Sequence, residues 1–233
     1  MTDQNALKKA VAAKALEYVR DGMKLGLGSG TTAEVFLDLL ALRVRGGMKL
    51  LCVPTSERTA LYARKLGITL STLEDVGALD LTIDGADEAD RDLNLIKGGG
   101  GMLLREKIVA ASSRSMLVIA DESKLVARMG KYPLPIEVIE FGHASTALRL
   151  AAAFAALGYK DVKITPRVRD GAPFKTDSGC LIYDVAFGQI ADAPKLATAI
   201  LAVPGVVEHG LFIGIAKTLL IASPDEVEII TKV

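Results

Sequence analysis

Acids, a lysine and bare backbone are gathered in one stretch, Asp84 to Glu106, which reads DGADEADRDLNLIKGGGGMLLRE. Asp84 and Asp87 stand just past an apolar run, Leu79 to Ile83, with Glu88 beside them. Lys97 and four glycines, Gly98 to Gly101, come next. A helical pattern then opens at Met102 and carries Arg105, Glu106 and Lys107 near its start. Carboxylates can move protons. A glycine run exposes N–H groups able to hold an oxyanion, and open α/β sheets place ligands at such strand ends. Together these point to chemistry on a small, anionic, hydroxylated molecule. Each part also has a plain structural use, because Asp-Gly forms turns and Glu suits a first helical turn. Four consecutive glycines resist that explanation, since ordering them costs more entropy than a simple connection needs.

A second loop has a related character. GLGSGTTAEVF follows a strand expected over Met23 to Gly28 and leads into a helix expected over Thr32 to Leu42. Gly28, Gly30 and Ala33 satisfy the G-x-G-x-x-G/A dinucleotide fingerprint. Ser29, Thr31 and Thr32 suit a phosphate monoester at a helix N-terminus equally well. The bland alternative is a glycine turn with Thr31 or Thr32 as the helix cap. A dinucleotide site also wants an acid at the end of the second strand. The chain there reads Val53-Pro54-Thr55-Ser56, with Glu57 already in the next helix. Lys8 in the first helix and Lys124 in the ADESK loop are candidate counter-charges for a phosphate, or simply solvated lysines.

These residues need a frame to hold them. Helical spacing predicts helices over residues 5–20, 56–66 and 102–111, and apolar runs predict strands over 49–53, 79–83 and 115–120, with a short one at 68–70. Alternation of this kind gives a doubly wound, largely parallel sheet. After Tyr132-Pro133-Leu134-Pro135 the rhythm changes to strand 136–140, helix 145–157, strands 162–168 and 180–187, helix 191–201 and strand 206–208. That is the β-α-β-β-α-β order of ferredoxin-like units. The apolar runs Leu211–Ile215 and Thr218–Ile221 then return to the first sheet. The expected architecture is a Rossmann-like α/β catalytic domain, residues 1–130 plus 210–233, with a ferredoxin-like α+β insertion at 131–209.

Composition narrows the function. Half of the 233 residues are hydrophobic and the net charge is zero, which argues against a nucleic acid held by bulk charge. The richest apolar run, Ala147 to Leu157, is interrupted by Arg149 and is too short for a bilayer. Lys8, Lys9 and Lys14 break up any signal-peptide core. Cys52 and Cys180 lie in apolar runs with no metal-type neighbours and read as buried, reduced thiols of a cytoplasmic protein. His143 and His209 have no second ligand at metal spacing, so no metal is expected. No G-x-S-x-G elbow is present, which excludes the usual serine hydrolase arrangement.

GLGSGTTA, DGADE, KGGGG-x-LLREK and ADESK, with KYPLPIEV and PGVVEHGLF, resemble in order and spacing the ribose-5-phosphate isomerases of the A type. The resemblance covers essentially the whole chain. It implies a Rossmann-like domain with a ferredoxin-like insertion, a homodimer or homotetramer, and reversible interconversion of D-ribose 5-phosphate and D-ribulose 5-phosphate with no cofactor or metal. Matched residue by residue, Glu106 is the implied catalytic base, with Asp84, Asp87 and Lys97 as its catalytic partners. The substrate would be held by Ser29, Gly30, Thr31 and Thr32, by Gly85 and Ala86 between the acids, by Gly98, Gly99 and Gly100, and by Lys8 and Lys124 near its phosphate. Met102 stands where many members carry a small residue. Asp84 is expected to help open the sugar ring and Asp87 to orient hydroxyls. Two other classes remain at this stage, a non-catalytic sugar-phosphate sensor and a nicotinamide-dependent oxidoreductase.

Overall fold

A computed structural model describes residues 3–231. The first half of the chain runs α1 (Gln4–Leu16), β1 (Lys24–Leu27), α2 (Thr31–Arg45), β2 (Leu51–Pro54), α3 (Glu57–Lys65), α4 (Leu73–Val76) and β3 (Leu81–Asp84). Two short strands, β4 (Glu88–Ala89) and β5 (Leu95–Ile96), precede α5 (Leu103–Ala111) and β6 (Met116–Asp121). Next come β7 (Leu134–Val138), α6 (His143–Ala156), β8 (Lys163–Pro166), β9 (Val168–Arg169), β10 (Ala172–Pro173), β11 (Leu181–Ala186), α7 (Ala193–Leu201) and β12 (Val206–His209). The last strands are β13 (Leu211–Phe212), β14 (Ala216–Ala222) and β15 (Val227–Thr231).

The central sheet has the order β15-β14-β6-β3-β1-β2 and is parallel except for β15, which pairs antiparallel with β14. Its inner strands β3 and β6 are buried on both faces, as their continuous apolar runs require. In β6, Leu117 and Ile119 pack with α1 and α2, while Met116, Val118 and Ala120 join the opposite cluster with Ala110 of α5 and Phe212. The chain leaves β1 toward β2 on one side, then returns to β3 on the other. The loops after β1 and β3 therefore flank the switch point of the sheet, where the crevice for a ligand opens.

A second sheet, β12-β7-β11-β8, is wholly antiparallel and packs α6 and α7 around Leu150, Phe154, Leu196 and Ile200. A small sheet, β13-β5-β4, shares core with both: Ile96 and Leu211 pack in the antiparallel unit, and Ala89, Leu95 and Phe212 pack with β6 and β14. No helix among the described residues is long and apolar enough to cross a membrane.

Several expected boundaries shift for physical reasons. The first helix ends at Leu16 rather than residue 20, because Glu17, Tyr18 and Val19 turn on tighter i→i−3 bonds; Val19 still reaches the core. The segment 68–70 makes only a single bridge, between Leu70 and Cys52. Pro135 lies inside β7 instead of marking a break: it has no N–H to lose, and its carbonyl accepts from Gly210 N. Cys52 is buried, and burial pushes its thiol up to about 12. Cys180 departs from expectation, being only partly buried and just before β11.

Alternation along the strands also fixes the site. In β3, Leu81 and Ile83 face α1 and α2, so Thr82 and Asp84 face α5. Opposite them, β1 and its end carry glycines. A Cβ at Gly26 would strike Thr82 and Val109, and one at Gly28 would strike the Asp84 carboxylate. The first glycine of the apparent dinucleotide fingerprint is thus required by an acid of the same chain. Gly28→Ala is expected to lower the unfolding free energy by about 1–3 kcal/mol through overpacking, measured by urea denaturation; an unchanged midpoint would contradict this packing.

Candidate active site

Three elements converge on one buried ammonium. Lys97, 3% exposed, extends from the end of β5 with its Nζ 2.9 Å from Asp84 Oδ2 and 3.4 Å from Glu106 Oε1. It also donates to the Gly85 carbonyl at 2.7 Å and lies 5.6 Å from the centre of the Phe212 ring. Its backbone N–H donates to Gly210 O, which ties it to the segment entering β13. Burial works against the charge on Lys97, but Asp84 and Glu106, with a smaller part from Asp87, outweigh it and raise its pKa.

Asp84 is fully buried. Its Oδ1 accepts from the backbone N–H of Ser29 and Gly85, at 3.0 and 2.7 Å, and its Oδ2 faces Lys97. Glu106 projects from the first turn of α5, whose rotation is set on both sides. Arg105 pairs with Glu57 at 2.8 Å, and Lys107 reaches Glu208 Oε1 and His209 O, each at 2.7 Å. Successive helical residues are about 100° apart, so these anchors turn Glu106 toward Lys97. Burial pushes the Glu106 carboxyl up to about 8; Lys97 pulls the other way, and Asp84 and Asp87 add to the rise. Glu106 Oε2 is buried with no hydrogen-bond partner among the described residues.

The cavity above this group has a volume of about 230 Å³. Glu106, Lys97, Asp87, Gly85, Ala86, Gly98, Gly99, Gly100 and Met102 form one part of its wall. Ser29, Gly30, Thr31, Thr32, Lys8 and Lys124 form the other, together with Gln4 and Asp121. Asp84 lies beneath the wall and does not line it. Asp87 does line it, accepting from Gly99 N at 2.7 Å. Its burial raises the carboxyl pKa against the Gly99 N–H, Lys97, Lys124 and Arg167, which all oppose the rise.

The cavity-lining start of α2 is suited to an anion. Gly30, at φ 97°, occupies the cap position of α2, so neither Thr31 nor Thr32 caps the helix and no side chain takes up its first N–H groups. Positive potential and open donors therefore face the cavity. Lys8 Nζ lies 3.0 Å from Thr31 Oγ1, and Lys124 has no ion-pair partner among the described residues. Lys9 is exposed and lines no part of the cavity. The Ser29 hydroxyl turns inward, 2.8 Å from each of the Thr55, Ser56 and Thr59 hydroxyls. Those hydroxyls fill the end of β2, where a nicotinamide dinucleotide would need an acid.

Other groups singled out in the sequence are structural. Glu88 accepts from Gly130 N and Tyr132 N, at 2.7 and 2.6 Å. His143 Nδ1 lies 2.7 Å from Tyr183 Oη. His209 is buried, its Nδ1 accepts from Leu211 N, and burial lowers its pKa to about 4, so it is neutral. Gln4 and Asp121 line the cavity although neither belongs to a glycine loop. Asp121 at the end of a buried strand was the available signal.

The family model for ribose 5-phosphate isomerase A (phosphoriboisomerase A) matches residues 51–226. A protein of Nitrobacter hamburgensis named ribose-5-phosphate isomerase A is 54% identical over 98% of both chains. The solved ribose 5-phosphate isomerase of Plasmodium falciparum superposes with a TM-score of 0.93 at 40% identity, covering 98% of this chain and 99% of that one. A D-ribose-5-phosphate isomerase solved in complex with phospho-erythronic acid gives 0.90 at 34% identity, covering 99% and 100%. The convergence of acids, lysine and glycine turn around one cavity, carried on a chain this similar throughout, makes it a member of the ribose 5-phosphate isomerase A family.

Proposed function

We propose that this chain carries out its family's reversible interconversion of D-ribose 5-phosphate and D-ribulose 5-phosphate, a pentose phosphate pathway reaction, with Glu106 as the base. The observation that carries the assignment is Glu106 itself, which lines the cavity beside a buried ammonium and keeps one carboxylate oxygen without a hydrogen-bond partner among the described residues. In the aldose-to-ketose direction, Glu106 takes the proton from C2. The C2–H electron pair becomes the C1=C2 bond, and the carbonyl pair moves onto O1, giving an enediolate. Glu106 returns its proton to C1 while the O2 proton passes to O1, leaving a ketone at C2. A pKa raised by burial suits a group that must both accept and release a proton near neutrality.

Lys97 supplies fixed positive charge for the enediolate, and the glycine-turn N–H groups add to it. The proposal needs no metal or other cofactor, because this ammonium fills the electrostatic role. Asp84 acts below the wall by holding Lys97 charged and in place. The ring-opening role expected of Asp84 is better filled by Asp87, which alone of the two lines the cavity. The phosphate is taken by the α2 N-terminus with Thr31, Thr32, Lys8 and Lys124. The phospho-erythronic acid bound by a relative, a phosphate with a carboxylate at its other end, matches this division of the cavity.

The antiparallel unit supports the finer architectural reading. Apart from the small β9–β10 pair, its sheet order and β-α-β-β-α-β succession match the ferredoxin-like pattern, which supports an insertion at residues 131–209 between the halves 1–130 and 210–233. Self-association is part of the same proposal, since Phe141 and Leu148 are 89% and 75% exposed; a monomer in sedimentation would exclude it.

Kinetics of two variants test the site. Glu106→Gln is expected to lower kcat by at least about 10²-fold while calorimetry still shows ribose 5-phosphate binding. Lys124→Met is expected to raise KM by roughly tenfold, about 1.4 kcal/mol of binding, with little change in kcat. Both should hold after dialysis against EDTA. Near-normal turnover by Glu106→Gln would remove it as the base.

A further inference from the structure

Arg167, between β8 and β9, is far from the acids in sequence and does not line the cavity. One edge of its guanidinium is nonetheless given to the glycine turn. Nη1 donates to the Gly98 carbonyl at 2.8 Å and to the Gly99 carbonyl at 3.2 Å. The other edge is locked to Asp184 of β11, with Nε donating to Oδ2 at 2.9 Å and Nη2 to Oδ1. The side chain is 12% exposed. A planar fork can make this two-sided contact, whereas a lysine ammonium cannot reach both sides in fixed geometry.

The two carbonyls matter because of the N–H groups at their other ends. In a trans peptide, C=O and N–H point in opposite directions, and no cis bond is present among the described residues. Holding Gly98 O aims Gly99 N–H away from Arg167, where it meets Asp87 at 2.7 Å. Holding Gly99 O likewise aims Gly100 N–H away from Arg167. That N–H has no protein partner among the described residues, and Gly100 lines the cavity. Gly98 O also accepts from Gly101 N at 3.0 Å, closing the turn. Without side chains, the glycines have little of their own to stop the two peptides from flipping.

We propose that Arg167, buttressed by Asp184, is a positioning residue for the isomerisation: it grips the outer carbonyls of the glycine turn so that the Gly99 and Gly100 N–H groups face Asp87 and the developing oxyanion. Its positive charge at the oxygen ends of both peptides also polarises their N–H ends. The inference rests on the proposed role of this turn in holding the enediolate.

The test compares wild type with Arg167→Ala, Arg167→Lys and Asp184→Asn in steady-state isomerisation of ribose 5-phosphate. Arg167→Ala is expected to lose about 10- to 100-fold in kcat, the scale of a small misplacement at the reacting centre. KM should stay within about twofold, since the support is used mainly in the transition state. Arg167→Lys should not restore kcat, and Asp184→Asn should fall between it and wild type. Millimolar ethylguanidine, well below denaturing concentration, should recover part of the Arg167→Ala loss but leave wild type unchanged; a residue needed only for folding would show no such recovery. The inference is overturned if Arg167→Ala keeps wild-type kcat, if Arg167→Lys restores it, or if the loss only tracks the unfolded fraction and ethylguanidine recovers nothing. Inactive wild type in the same assay would instead overturn the isomerase reading beneath it.

Discussion

Lys97 is a full positive charge held almost out of reach of water, and the site depends on how that charge is maintained. Burying an ammonium costs several kcal/mol unless close partners offset it. Here two carboxylates, a carbonyl at 2.7 Å and an aromatic ring surround it. The arrangement imposes demands well beyond the pocket. Asp84 needs two backbone N–H groups of its own, so the β1 loop must pass directly over it, and only glycine at position 28 leaves room. Glu106 must meet the same ammonium from another direction, which fixes the rotation of α5. Removing either acid would leave part of a buried charge uncompensated, the costly kind of substitution.

The antiparallel unit contributes more than bulk. It meets the central sheet at the glycine turn and at α3. Phe174 stacks where a Cβ on Gly101 would otherwise stand, Arg167 holds two of the turn's carbonyls, and Asp177 accepts from Glu57 N at the start of α3. The turn that presents N–H groups to the cavity is thus shaped from behind by residues up to about eighty positions later in the chain. A glycine run alone would be too mobile to hold an oxyanion. Support by a second unit supplies the preorganisation on which electrostatic catalysis depends.

Much of this was legible in the sequence, and the exceptions follow a pattern. Alternating apolar runs and helical stretches disclosed the parallel sheet, and the Asp84–Glu106 stretch announced the site, because local spacing carries both. What depended on long-range packing stayed open or carried no local signal. The Gly28–Ala33 loop left a dinucleotide and a phosphate monoester both open; the Asp84 carboxylate that Gly28 makes room for explains the first glycine without a dinucleotide. The sequence could not decide between Thr31 or Thr32 as a helix cap and an open helix end; Gly30 takes the cap position and leaves the N–H groups open. Asp84 and Asp87 are equivalent in the string DGAD; only the pleat of β3 separates a buried anchor from a cavity-lining acid. Arg167 and Asp184 carry no motif at all, since their partner is a backbone carbonyl pair.

The central claim is that burial, opposed by Lys97 and reinforced by Asp84 and Asp87, raises Glu106 so that it can take and return a proton near neutral pH. Carbon-13 labelling of the glutamate side-chain carboxyls would read this directly in the unmodified protein, with the Glu106 resonance assigned by its loss in Glu106→Gln. A titration midpoint at about 8 is expected, so the proton is bound below that pH and the base form grows above it. A midpoint near the ordinary 4.5 would mean that burial does not tune this carboxyl, and would contradict the mechanism built on it.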